Sequence, residues 1–222
     1  EKQLEIAVKI GDRRGESSAL GNMGLTYRSL GDARKAIPIC EKALMIARQL
    51  GSRDDEIYIL CNIGAAYADL FEFRKAIEFS EQALVIAREI GDRFGEGNSL
   101  GNLGNAYYGI GDVRKAVEFL EKALVINREL GNRYAEGNNL GNLGLAYVDL
   151  GDARKAIEFQ EKALIIDREF GDQSGEAAAL GNLGMAYAAL GANMRAIMFY
   201  EQALSIQHKI GNRSGEGDNL GN

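Results

Sequence analysis

Apolar and polar positions recur along this chain with two superimposed periods. The short period is helical. Between about Gly95 and Ile110 the apolar or small residues are Leu100, Leu103, Gly104, Tyr107 and Ile110. Between Val113 and Leu130 they are Ala116, Val117, Phe119, Leu120, Ala123, Leu124 and most of 126–130. Steps of three and four place each set on one side of a helix, whereas a strand would alternate. Gly111 and Asp112 break the chain between the two segments. Gly131 is expected to end the second one in a left-handed conformation that costs glycine little. Asn132 and its counterparts Asp12, Ser52, Asp92, Asp172 and Asn212 are suited to cap the next helix.

The long period is 40 residues. GNLGNAYYGIGD at 101 returns as GNMGLTYRSLGD at 21, CNIGAAYADLFE at 61, GNLGLAYVDLGD at 141 and GNLGMAYAALGA at 181. A fixed period of this size predicts stacked helix–turn–helix units, each covering the apolar side of the next. The expected organisation is one array over 1–222. Its full repeats lie at about 11–50, 51–90, 91–130, 131–170 and 171–210, with partial repeats at 1–10 and 211–222. Both ends fall inside a repeat, so the chain reads as a piece of a longer array. Its cut faces are Leu4, Ile6, Ala7, Val8 and Ile10 at one end, and Ile197, Leu204 and Ile206 at the other. They are unlike in kind, and the expectation is head-to-tail self-association through them. The single proline, Pro38, lies within a second helix, where a late helix start or a slight kink is expected.

Composition narrows the function classes. The chain has 222 residues, 46 % hydrophobic and 26 % charged, which fits a folded protein. A net charge of −6 argues against a general nucleic-acid surface. No apolar run approaches the ~20 residues that span a bilayer, and none reads as a signal peptide. Cys40 and Cys61 lack any metal-binding spacing and read as reduced side chains of a cytoplasmic protein. The lone histidine, His208, stands in an arginine column, and the phosphate loop is absent. No residues support an enzyme, and no cofactor or metal is implied. Asn212-Arg213-Ser214 is a formal glycosylation sequon with no sign of secretion beside it.

The repeated phrase, with Leu103-Gly104-x-x-Tyr107 followed by Ala116 and Ala123, resembles the tetratricopeptide repeat. Its glycine falls at 24, 64, 104, 144 and 184, and its tyrosine at 27, 67, 107, 147 and 187. Leucine replaces the family's tryptophan at 20, 60, 100, 140 and 180. Arg48, Arg88, Arg128, Arg168 and His208 replace its closing proline. The 40-residue unit resembles the Leu-Gly-Asn repeats of Pins-type spindle-orientation scaffolds. It is equally similar to arrays in large bacterial proteins that carry signalling ATPase or caspase-like domains. The resemblance implies an all-α fold, a right-handed α-solenoid.

At ~100° per residue, Asn98, Asn105 and Gly109 lie opposite the packed side of their helix, and Asn102 about 140° from it. The resemblance assigns this free side to a concave groove. Across the repeats it carries Arg28, Tyr108, Leu145, Met185, Asn138 and a column of Asn22, Asn62, Asn102, Asn142, Asn182 and Asn222. An asparagine amide offers donors and an acceptor together, which suits a peptide main chain. The alternative is that each asparagine bonds a neighbouring helix and sets the stacking. Glu16, Glu56, Glu96, Glu136, Glu176 and Glu216 fall in first turns, where the helix dipole favours acids, the alternative being a rim contact to a basic partner. The ArgLys pairs at 34, 74, 114 and 154 are expected on a solvated face. The resulting expectation is a non-enzymatic scaffold that binds an extended peptide or a helix of a protein partner. The alternative is a structural or self-assembling spacer of a larger protein. Arg28 is the one cation of the groove, beside Asp69 and Asp149, which argues against a ligand held by its terminal carboxylate.

Overall fold

A computed structural model describes residues 2–211 of the chain, and all of its regular structure there is helical. Asn212 and Asn222, with the rest of 212–222, lie outside the described residues. The helices are α1 (Lys2–Ile10), α2 (Arg13–Ser29), α3 (Ala33–Leu50), α4 (Arg53–Asp69), α5 (Phe73–Ile90) and α6 (Arg93–Gly109). They continue as α7 (Val113–Glu129), α8 (Arg133–Asp149), α9 (Ala153–Phe170), α10 (Gln173–Ala189) and α11 (Asn193–Ile210). The expected all-α architecture of stacked helix–turn–helix units is what the chain adopts.

The chain divides into two compact units, Glu1–Ile126 and Asn127–Asn222. In the first, helices α1 to α6 each pack on the next in the chain. In addition α2 touches α4, and α4 touches α6. In the second, α8 to α11 pack in the same succession, and α8 touches α10. The even-numbered first helices therefore form a face of their own in each unit.

Local chemistry sets the helix ends. Asp12, Asp92, Asn132 and Asp172 accept a backbone N–H from the first turn of the following helix. Ser52 does not cap; its hydroxyl turns to Asp55 at 2.6 Å. Gly131 adopts φ 66°, as expected of a left-handed helix end. Pro38 does not delay α3. The Asp32 carboxylate accepts Lys35 N–H and fixes the start at Ala33, matching Ala153 of α9. Leu4 and Ala7 are also less open than expected. Ala7 is buried and Leu4 packs on the first core cluster, while Ile6, Val8 and Ile10 are exposed.

Packing is repetitive. Leu60 and Ile63 are fully buried in the first cluster, Leu100 and Leu103 in the next, and Leu180 and Leu183 in the second unit. Gly104 makes close helix approach possible: a Cβ there would lie 2.5 Å from Leu120 Cγ. The repeat tyrosines stack on phenylalanines of the partner helix, Tyr67 on Phe79 at 5.4 Å and Tyr107 on Phe119 at 5.2 Å. Tyr147 on Phe159 and Tyr187 on Phe199 do the same in the second unit. The lysines of the ArgLys pairs stay exposed, but their ammonium groups cover these rings, with Lys75 4.8 Å from the Tyr67 centroid. Both cysteines are buried and unpaired, and burial pushes each thiol up to about 11.

One turn departs from the pattern. Gly31, Gly111, Gly151 and Gly191 take positive φ between the helices of their repeats, but the second repeat uses Phe71 at φ 60°. Its ring is 81 % exposed and meets Phe73 edge-on at 6.0 Å. A β-carbon in this conformation costs about 1–2 kcal/mol, and so exposed a ring recovers little by burial. Phe71→Gly is expected to stabilise the protein by about 1 kcal/mol. An unchanged or lowered urea midpoint would contradict that strain.

Candidate functional site

The face formed by the first helices carries the asparagines. It is built because Leu20, Leu60, Leu100, Leu140 and Leu180, one helical step away, are drawn into the core and turn the neighbouring polar positions outward. In the first unit Asn22 is exposed and accepts the Tyr58 hydroxyl at 3.3 Å. The two line a cleft of about 270 Å³ with Ser17, Ser18, Gly21 and Asp55. Asn62 is half-buried, and its buried Nδ2 has no hydrogen-bond partner. Asn102 donates from Nδ2 to the carbonyl of Cys61 at 3.0 Å, a bond from one first helix to the previous one. Asn98 and Tyr108 are half-buried, and Asn105 is exposed. The Arg28 guanidinium is engaged by Asp69 at 2.7 Å.

In the second unit a cleft of about 330 Å³ gathers Asn138, Asn142, Leu145 and Asn182. Its floor is made of small residues of α8, α9 and α10, among them Gly137, Gly141, Ala163 and Ala178. Gln160 and Asp167 of α9 also line it. Met185 is half-buried on the same helix as Asn182 but does not line this cleft. Of the predicted residues, Asn22 lines the first of these clefts and Asn138, Asn142, Leu145 and Asn182 the second, Arg28, Asn62, Asn98, Asn105, Tyr108 and Met185 line neither, and Asn102 serves the packing between helices.

Gln160 and Asp167 are the residues of this region that sequence reasoning missed. Their counterparts are Cys40, Ser80, Leu120 and Tyr200 for the first, and Ala47, Ala87, Asn127 and Gln207 for the second. Variation within an otherwise repeated position is the signal that could have found them. The Gln160 side chain is fully buried; Nε2 donates to the Gly141 carbonyl at 2.8 Å, and Oε1 has no partner. The Asp167 carboxyl is pushed up to about 6 by burial and by the nearby acids Asp172 and Glu176.

The acidic column sits in the first helical turns as expected and also forms ion pairs. Glu56 takes Arg48 at 2.7 Å and Arg53 at 3.2 Å. Glu96 takes Arg88 and Arg93, Glu136 takes Arg128 and Arg133, and Glu176 takes Arg168. Burial alone would raise Glu136, but hydrogen bonds from its two arginines outweigh that and hold it below the usual carboxylate range. The arginines that stand in place of a closing proline therefore tie each second helix to the start of the next repeat. Among the described residues no cluster of three or more His, Cys, Asp or Glu is placed to hold a metal, and no helix is long and apolar enough to cross a membrane.

Comparison with known proteins agrees with this geometry. The sequence profile described as Tetratricopeptide repeat matches residues 15–89, 55–129 and 135–209. Among curated proteins none matches the sequence. The chain is similar to the crystal structure of BtubC from P. vanneervenii, with 22 % identity over 95 % of this chain and 89 % of that one, at a TM-score of 0.80. It is similar to the Rap conjugation gene regulator of plasmid pLS20, solved in complex with the Phr* peptide. There the identity is 17 %, the coverage 93 % and 56 %, and the TM-score 0.73. A third similar structure is the signal transduction ATPase PH0952 from Pyrococcus horikoshii, which has a tetratricopeptide repeat sensor. It is 20 % identical over 98 % of this chain and 38 % of that one, with a TM-score of 0.62.

Proposed function

The chain belongs to the tetratricopeptide repeat family, and on that footing we propose that it is a non-enzymatic interaction scaffold whose first-helix face receives an extended peptide or a helix of a protein partner. The observation that carries this reading is the cleft of the second unit, where Asn138, Asn142 and Asn182 stand around a floor of small residues. The carboxamides of Asn138 and Asn182 present N–H donors and C=O acceptors to main-chain groups, and small residues leave room for a backbone to approach. The same fold holds a peptide in the Rap regulator. The 40-residue period and the Leu-Gly-Asn runs at 20, 100, 140 and 180 lead us to place the array with the Leu-Gly-Asn variant of the family.

The test uses peptides selected from a random library on the wild-type chain. Asn138→Ala and Asn182→Ala are each expected to weaken such a peptide by about 1 kcal/mol, or about fivefold, as a hydrogen-bonded amide is lost. N-methylation of the peptide backbone is expected to do the same. Asn102→Ala behaves differently, because its amide is spent on Cys61: it lowers stability by about 1 kcal/mol. Peptides that bind both cleft variants as tightly as the wild type would reject the main-chain mechanism.

A further inference from the structure

We propose that the cleft between α8, α9 and α10 takes a basic side chain, the ammonium of a lysine or the guanidinium of an arginine, from a bound polypeptide, with Asp167 as its counter-ion. This deepens the peptide-binding reading above and rests on it. Two independent observations converge. Asp167 lines the cleft half-buried and makes no side-chain hydrogen bond or ion pair among the described residues. Gln160 lines the same cleft with its side chain fully buried and its Oε1 unpartnered. The Asp167 carboxylate is the acceptor that calls for a cation, and the Gln160 acceptor at the other end of the cleft calls for a separate N–H donor of the same polypeptide.

Among the described residues the cleft lining offers no internal cation. From α8 the cleft receives Asn138, Asn142 and Leu145 with two glycines, and from α10 Gly175, Asn182 and two alanines, none of them titratable. The charged groups that act on Asp167 are Asp172, which caps α10, and Glu176, both acidic. The nearest arginine in sequence, Arg168, is bound to Glu176 at 2.7 Å. A lone carboxylate facing only acids is held at a cost that an incoming positive charge removes.

Shape points to a side chain rather than a free ion. Gln160 and Asp167 lie seven residues apart on one face of α9, about 10 Å along its axis. Ala163 lies between them on the same face, with Gly141 and Ala178 beside it. This narrow apolar floor suits the methylenes of a lysine or arginine stem, with the charged tip at Asp167 and the main chain at the asparagine rim. The corresponding positions in the other repeats are Ala47, Ala87, Asn127 and Gln207, so the charge selectivity belongs to this repeat alone.

The test titrates the whole chain with blocked amino acids, followed by amide chemical shifts. The probes are Nα-acetyl-arginine N-methylamide, its lysine analogue, and the neutral isostere Nα-acetyl-citrulline N-methylamide. Saturable shifts around 138–145, 160–167 and 175–182 are expected with the two cations and not with citrulline. Asp167→Asn is expected to weaken the cations at least tenfold. The wild-type affinity is expected to fall about tenfold between pH 7 and pH 5, as the carboxylate takes up a proton. No saturable shifts, equal binding of citrulline, or an unchanged affinity in Asp167→Asn would each overturn the proposal. Agmatine, which has no peptide groups, is the remaining arm; binding as tight as that of the arginine probe would make this a small-cation site and overturn the polypeptide source. The main-chain reading is judged separately, by Asn138→Ala and Asn182→Ala on selected peptides, so it survives a failure here.

Discussion

Leu103→Ala is expected to lower the stability of the first unit by about 3 kcal/mol, whereas Val125→Ala, one helix on, changes it by less than about 0.5 kcal/mol. Leu103 is fully buried, packed with Leu84 of α5, Leu100 of its own helix, and Ala123 and Ile126 of α7. Removing three carbons leaves a cavity bordered on three helices. The stacked rings of Tyr107 and Phe119, which pack on the same cluster, are too rigid to fill it. Val125 is 54 % exposed and loses little by truncation. In a repeat architecture each helix is covered only by its neighbours, so a defect at one interface weakens that interface rather than a shared centre. Urea unfolding followed by far-ultraviolet circular dichroism checks the pair of variants. A loss of under about 1 kcal/mol at Leu103 would mean that the helices close over the cavity.

The same local burial explains what can be read from the sequence. A helix that meets only its neighbours must carry its core in its own period, so Leu100, Leu103, Gly104 and Tyr107 announce both the helix and its packed side. Caps are legible for the same reason: Asp12, Asp92, Asn132 and Asp172 act within three residues of themselves. Pairing between side chains is less legible. Glu56, Glu96, Glu136 and Glu176 are visible as a column, and so are the arginines eight residues before them. A dipole argument accounts for the acids without the arginines, and only the hairpin geometry brings the two together. The asparagine column looks uniform in the sequence, yet identical residues have unlike environments. Asn102 bonds the Cys61 carbonyl, Asn22 accepts from Tyr58, and Asn182 borders a cleft. The neighbour that decides these cases lies about 40 residues away and varies between repeats. The least legible features are those that break the repeat, Phe71 and Asp167, because periodicity says only what a position has in common with its counterparts.

Asp167→Asn is expected to stabilise the second unit by about 1–2 kcal/mol at pH 7.5 and to leave it nearly unchanged at pH 4. The sign follows from where the proton sits. Burial, aided by Asp172 and Glu176, pushes the folded carboxyl up to about 6, whereas in the unfolded chain it titrates near 4. Between these values the folded protein binds the proton more tightly. The stabilisation is therefore full below about pH 4 and is lost as pH rises through about 6. A rise from near 4 to about 6 corresponds to about 3 kcal/mol for a group wholly shielded from water. Asp167 is only half-buried, so solvent screening reduces the effect to the smaller figure. Asparagine has the shape of the protonated acid and never ionises, so it removes the loss at neutral pH and adds nothing in acid. Urea midpoints at the two pH values, with hydrogen exchange of α9 and α10 to localise the change, provide the measurement. Equal stabilisation at both pH values would assign the effect to packing rather than to charge. No stabilisation at pH 7.5 would mean that the carboxylate is already paired in solution. A half-buried carboxylate whose titration is pushed up in this way, in one repeat of several, is the kind of group that clusters at binding sites.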